Sequence, residues 1–273
     1  MIGQSPWPEN FSPTTPYVRV IPNFIKANYP ESMSGVYRDH ASARDTGPEH
    51  PDRQSDAAPA RVPITVLEPD GFARGGIVVL HESRKFAEAL LEFLKSLAGE
   101  GWIVVAPNLF HRSGASVDKV FGADLFADFD ACVDWLVGRG VIPDCVGVLG
   151  FDSAGTAALL VATDRPIGAA VSVAAPGIAE PLTAQATALV HAAPRLRAPW
   201  LGLYGASDAA TPLGQVESLR EAAARAPTAT LVVTYPGLHH RADEPGLDAH
   251  TDDLDTAIDA RTRIFDWFDS HLR

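Results

Sequence analysis

From Arg61 to the end of the chain, short β-branched runs alternate with amphipathic stretches, and this alternation restricts the fold more than any other feature. The apolar runs are "RVPITVLEP", "GGIVVLHE", "GWIVVAPN", "CVGVLGF", "GAAVSVAA", "APWLGLYG" and "TLVVTYP". Most are continuously apolar, as strands buried on both faces are, and such strands belong to a mostly parallel sheet flanked by helices. Between them "KFAEALLEFLKSLAGEG" sets Phe86, Leu90, Leu91, Phe93, Leu94 and Leu97 on one helical face and stops at a glycine. "GADLFADFDACVDWLVGRG" repeats the pattern, and the closing "DLDTAIDARTRIFDWFDSHL" turns Ile258, Ile264, Phe265 and Phe268 toward the sheet. The expected class is α/β, with helices on both faces.

A chain of 273 residues accommodates one large domain of this kind plus an arm. Residues 1–60 are rich in Pro, Ser, Asp and Arg and lack sustained periodicity, so they read as an extended or partly disordered N-terminal arm. Within them "PYVRVIPNFIKANYP" has the aromatic and β-branched content to lie on the domain or on a second subunit, which makes the arm a candidate homodimer contact. A loosely held tail is the plainer alternative. Residues 61–273 form the domain.

The formal net charge of −12 argues against nucleic acid or an anionic membrane as partner and favours a small-molecule substrate. Cys132 and Cys145 have no C-x-x-C spacing and read as reduced core thiols. The first residues show no basic stretch followed by an apolar one, and no run approaches the ~18 apolar residues of a membrane span, so the expected location is cytoplasmic. No G-x-G-x-x-G follows a strand, so a dinucleotide cofactor has no support.

One junction stands apart. "VLGFDSAGTAALL", residues 148–160, reads as a strand, a sharp turn and a small-residue helix, with Asp152 at the apex. A nucleophile elbow needs small residues two before and two after its apex, because the apical backbone is strained and those side chains would strike neighbouring elements. Gly150 and Ala154 meet that need around Asp152, whereas an apex at Ser153 would place Phe151 in the crowded position. The simpler reading is that Asp152 or Ser153 merely caps the helix.

Loops after other strands carry complementary residues, and in open α/β sheets ligands collect beyond the carboxyl ends of the strands. Glu82, Ser83 and Arg84 follow "GGIVVLH", Asp208 follows "WLGLYG", and His239 and His240 follow "LVVTYPGL". His81 reads as a strand-end residue facing the site, and His111 as a substrate contact or a solvated loop residue. His239, His240, Asp243, Asp248 and His250 are metal-binding types, but their spacing matches no closed zinc site and no metal is expected.

Over roughly residues 61–273 the chain resembles the dienelactone hydrolase family, a branch of the α/β-hydrolase superfamily. The matching segments are "GGIVVLHE", "GWIVVAPNLFHRSG", "VGVLGFDSAG", "LGLYGASDAATP" and "TYPGLHHRAD", in family order. The resemblance implies an α/β-hydrolase fold with a lidless site, no metal or organic cofactor, and hydrolysis of an ester or lactone. Carried over by position, it places the triad on Asp152 (nucleophile position), Asp208 (acid) and His240 (base). It also places on Glu82 the glutamate that meets the resting thiol, and on Arg112 an arginine that helps hold a substrate carboxylate. Arg84, Ser153 and His239 complete the candidate substrate contacts.

The departures are specific: "GFDSAG" stands where the family has "GYCLGG", His239 where it has glycine, and "RAD" follows His240 in place of a more apolar continuation. An aspartate needs no deprotonation near neutral pH, but its attack on an acyl carbon would form a mixed anhydride. Attack at saturated carbon, as in haloalkane dehalogenases and epoxide hydrolases, is one alternative, although Ser153 stands where dehalogenases commonly carry a tryptophan. Asp152 acting as a base on water is another. Glu82 nearby would then set two carboxylates together and raise a pKa unless Arg84 or Arg112 neutralised them. A degenerate hydrolase kept as a binding protein is the reading without catalysis, and the Asp208–His240 pair argues against it.

Overall fold

The computed structural model describes residues 35–43, 61–82, 88–112, 123–184, 186–241 and 251–273, all within one unit, Met33–Arg273. The apolar runs form β2 (Arg61–Leu67), β3 (Gly75–Leu80), β4 (Trp102–Pro107), β5 (Val146–Phe151), β6 (Ala169–Val173), β7 (Trp200–Gly205) and β8 (Thr230–Tyr235). An eighth strand, β1 (Val36–Ser42), precedes them, and the sheet runs β1-β2-β4-β3-β5-β6-β7-β8. β2 pairs antiparallel with both β1 and β4, while every pairing from β4 through β3 to β8 is parallel.

The helices are α1 (Glu88–Gly99), α2 (Ala123–Val137), α3 (Ser153–Asp164), α4 (Leu189–Ala192), α5 (Leu213–Ala223) and α6 (Thr251–His271). Successive strand residues point to opposite faces, so Ile77 and Val79 meet Leu94 and Leu97 of α1 and Ile264 and Phe268 of α6. Val78 and Leu80 meet the other layer, where Leu125 and Phe129 of α2, Leu159 of α3 and Val216 of α5 pack. Trp102 and Trp200, at the starts of β4 and β7, are fully buried, and Cys132 and Cys145 are buried free thiols.

Two sequence expectations are corrected. The assignment of all of residues 1–60 to an arm fails at β1, whose seven residues pair with β2 from Val36 opposite Leu67 to Ser42 opposite Arg61. "VYRDHAS" hides this because an edge strand faces solvent along one side, and its Arg, Asp and His break the apolar signal. Side chains anchor it: the Tyr37 hydroxyl donates to Glu68 at 2.5 Å and Trp135 Nε1 to Asp39 at 3.0 Å. The rest of the proposed arm, residues 1–34 and 44–60, lies outside the described residues, as does Phe86. On α6, Ile258 is 63% exposed rather than sheet-facing, because the buried stripe runs through Ala257, Ala260, Ile264 and Phe268. Ile258 is one position, about 100° of helix rotation, off that stripe.

Because β3 to β8 are parallel, their carboxyl ends share one edge of the sheet. The residues immediately past β3, β5, β7 and β8 lie on that edge, as does the N-terminus of α3.

Candidate active site

The β5–α3 junction has the strained geometry its sequence requires. Asp152 sits at φ 56° and ψ −130°, a conformation L-residues seldom adopt, which costs on the order of 1–3 kcal/mol and persists only where the surroundings enforce it. The enforcing contacts are on the main chain. The Asp152 N–H donates to Val173 O on β6 at 2.9 Å, and its carbonyl accepts from Gly155 and Thr156 at 2.8 and 3.2 Å. A Cβ on Gly150 would lie 2.0 Å from the Ala154 carbonyl oxygen, so the small residue before the apex is obligatory. The carboxylate stands at the positive end of α3, where the aligned peptide dipoles favour negative charge.

Polar contacts beneath α3 hold its first turn. Ser172 Oγ on β6 donates to the Gly155 carbonyl at 2.7 Å and accepts from Trp200 Nε1 at 2.9 Å, and Thr156 Oγ1 donates to the Pro176 carbonyl at 2.6 Å. Ser172, Thr156 and Trp200 are fully buried, so each bond also satisfies a group that water cannot reach.

Two loops deliver the acid and the histidine. Asp208 is 5% exposed, and its Oδ1 accepts from the Ala210 N–H at 2.8 Å, leaving Oδ2 for His240 Nδ1 at 3.0 Å. The other ring nitrogen, His240 Nε2, lies 3.0 Å from Asp152 Oδ1. The two loops are held in register by the Ser207 N–H donating to the Leu238 carbonyl at 3.0 Å. That approach is possible because residue 205 is glycine: a Cβ there would meet the Leu238 and His240 carbonyl oxygens at 2.5 and 2.8 Å. Asp152, His240 and Asp208, 88 positions apart at the extremes, thus form one connected acid–histidine–acid line.

The remaining sequence candidates distribute unevenly. Ser153 opens α3, so its backbone N–H has no carbonyl within the helix to accept it. Glu82 is exposed, two positions past Leu80, which pairs with Gly150, so the parallel register brings it level with Asp152. His239 is exposed, and His81 is buried at the end of β3. Ser83, Arg84, Asp243, Asp248 and His250 lie outside the described residues.

Arg112 is engaged in an ion pair. Its two terminal nitrogens bind both oxygens of the buried Asp128 at 2.6 and 2.8 Å, which pushes the guanidinium pKa further up. His111 turns toward the same carboxylate, its Nε2 3.2 Å from Asp128 Oδ2 and its side chain 9% exposed.

Sequence reasoning passed over Arg241. Its Nη1 lies 3.8 Å from Asp152 Oδ2 and its guanidinium carbon 4.4 Å from the centre of the Phe151 ring, with the side chain only 16% exposed. The available signal was the unusual "RAD" after His240. The Ser172–Trp200 support was also missed, since nothing local links residues 28 positions apart.

The family model described as "Dienelactone hydrolase family" matches residues 63–272. A protein of Yersinia pestis named "Putative carboxymethylenebutenolidase" is 28% identical over 212 residues, covering 71% of this chain and 78% of its own. A protein of the same name from Methylorubrum extorquens is 29% identical over 218 residues, covering 72% and 73%. Among solved structures, the "Putative Dienelactone Hydrolase" of Klebsiella pneumoniae superposes with a TM-score of 0.70 at 24% identity, over 87% of this chain and all of that one.

Proposed function

The chain belongs to the dienelactone hydrolase family and is a hydrolase of the ester- and lactone-cleaving type; we propose that it acts on a small ester or lactone at Asp152, His240 and Asp208, with Asp152 serving as a base toward water. The observation that carries this reading is the His240 ring, held 3.0 Å from Asp208 on one side and 3.0 Å from the elbow carboxylate on the other. Asp208 orients the ring, and the ring connects to the residue at the apex.

A carboxylate attacking an acyl carbon produces a mixed anhydride, a species more reactive than the ester it came from, whereas a carboxylate receiving a proton from water produces nothing that must be cleared. In the proposed step, water gives a proton to Asp152 as its oxygen bonds to the acyl carbon. The oxyanion develops beside the Ser153 N–H at the start of α3, the position of the oxyanion donor in this fold. The bond to the leaving oxygen then breaks, and that alkoxide takes up the proton through Asp152 and His240. One ester and one water become one acid and one alcohol, or, from a lactone, one hydroxy acid.

No helix among the described residues is long and apolar enough to cross a membrane. The cytoplasm is the compartment proposed, supported by two buried thiols that remain unpaired.

The test is hydrolysis of a panel of small activated esters and lactones by the wild type, Asp152→Ala and His240→Ala. Each substitution is expected to lower kcat/KM by about 10²-fold or more. Wild-type turnover in Asp152→Ala would remove the carboxylate from the mechanism. Intact mass of His240→Gln during turnover is expected to show no adduct, and a covalent acyl group on Asp152 would replace the water step with an anhydride.

A further inference from the structure

The elbow carboxylate is gripped from both sides by consecutive residues. His240 Nε2 meets one oxygen at 3.0 Å, and Arg241 Nη1 lies 3.8 Å from the other. The guanidinium stacks at 4.4 Å on Phe151, the residue immediately before the apex, so both ends of the ion pair belong to the turn or rest on it. We propose that Arg241 is a positioning residue for Asp152: its charge keeps the carboxylate ionised and fixes the plane from which it receives a proton. This rests on the reading of Asp152 as the base.

The charge pattern supports it. Asp208, His240, Asp152 and Arg241 alternate acid and base along one line, so each oxygen of the elbow carboxylate has a nitrogen of a basic side chain within 4 Å. Among the described residues, Glu82 and His81 follow β3 at the same sheet edge, and the Val173 carbonyl of β6 accepts the Asp152 N–H. Glu82, exposed at the mouth and level with Asp152, would favour protonation of the base, and a fixed guanidinium opposes it. Stacking on Phe151 matters because a side chain with several rotatable bonds holds a partner only when something restrains it, and a flat guanidinium on an aromatic face is restrained. The Arg241 side chain is 16% exposed and that of Asp152 35%, so the pair is partly shielded from solvent.

The experiment compares the wild type with Arg241→Gln and Arg241→Lys. One readout is the pH profile of kcat/KM on an activated ester; the other is the titration of the Asp152 carboxyl carbon by NMR in protein labelled at aspartate, assigned with Asp152→Asn. Arg241→Gln is expected to move the acid limb and the Asp152 titration up by about one pH unit, as removal of an adjacent cation does. Arg241→Lys, which keeps the charge but not the flat stacking, is expected to restore most of that shift while leaving kcat below wild type. A titration unmoved in Arg241→Gln, or a rate loss equal at every pH, would overturn the proposal by reducing Arg241 to a packing residue. The NMR arm needs no turnover. If no ester or lactone is hydrolysed by any variant, the hydrolytic role of Asp152 fails, while a shifted titration still establishes the Arg241–Asp152 coupling.

Discussion

Replacing Gly205 by alanine tests whether the placement of His240 governs activity. The added Cβ would lie 2.5 Å from the Leu238 carbonyl oxygen and 2.8 Å from that of His240, whereas ordinary contact begins near 3.4 Å. The loop after β8 must therefore retreat by about 0.9 Å at Leu238 and about 0.6 Å at His240. The backbone of β7 cannot yield instead, because Gly205 is paired with Tyr235 at the end of a fully buried strand. A retreat of this size lengthens both 3.0 Å contacts of the His240 ring and disturbs the Ser207–Leu238 bond that aligns the two loops. Misplacing a reacting group by about 1 Å costs about 10²-fold in rate, equivalent to about 2.7 kcal/mol of barrier. Overpacking adds a stability loss of about 1–3 kcal/mol. The assay is kcat/KM on an activated ester, with urea unfolding to establish that the variant is folded at the assay temperature. In a His240→Ala background the same Gly205→Ala change should cost no further activity, since the two act through one ring. A folded Gly205→Ala enzyme within twofold of wild type would refute the argument that the glycine sets the histidine.

Asp152→Gly is expected to raise stability by about 1 kcal/mol while abolishing turnover, because glycine adopts the positive φ of the elbow without strain; denaturant midpoints and ester hydrolysis check both halves. Asp208→Asn is expected to lower kcat by as much as about 10⁴-fold. Its amide oxygen can still accept from the Ala210 N–H, but then its NH₂ faces His240 Nδ1, so steady-state rates fall while the unfolding midpoint changes little. Burial and the Glu68 carboxylate push the Tyr37 phenol up to about 12, from an ordinary value of 10.0. A raised folded pKa gives stability that is fully present below pH ~10 and is lost as pH climbs toward 12. Tyr37→Phe should therefore cost about 1 kcal/mol at pH 8 and lose less than the wild type between pH 10 and 11.5, read from urea midpoints at each pH.

The elbow was legible because its constraints are local. Whether a side chain fits two positions before the apex depends on the next few residues, and a Gly150 Cβ would come within 2.0 Å of the Ala154 carbonyl oxygen. The strands were legible for a similar reason: burial on both faces demands continuous apolar runs, and six such residues in a row admit few other structures. β1 was not, because an edge strand is free of that demand and carries charge where a central strand carries valine.

The arginines mark the boundary. Position along the chain put Arg112 at the site's edge, but whether its charge is available depends on Asp128, which α2 brings up from 16 residues away to take both guanidinium nitrogens. Arg241 stood in view beside His240, yet its bearing on Asp152 arises only when β8 lies two strands from β6 and three from β5, and Phe151 offers its ring. The sequence by itself determined that a carboxylate occupies a strained apex and that an acid and a histidine follow in hydrolase order, because those depend on residue type and near-neighbour sterics. Which cation stands beside that carboxylate was decided by the tertiary structure alone, since ion pairs form between surfaces that only the packed sheet brings within about 4 Å.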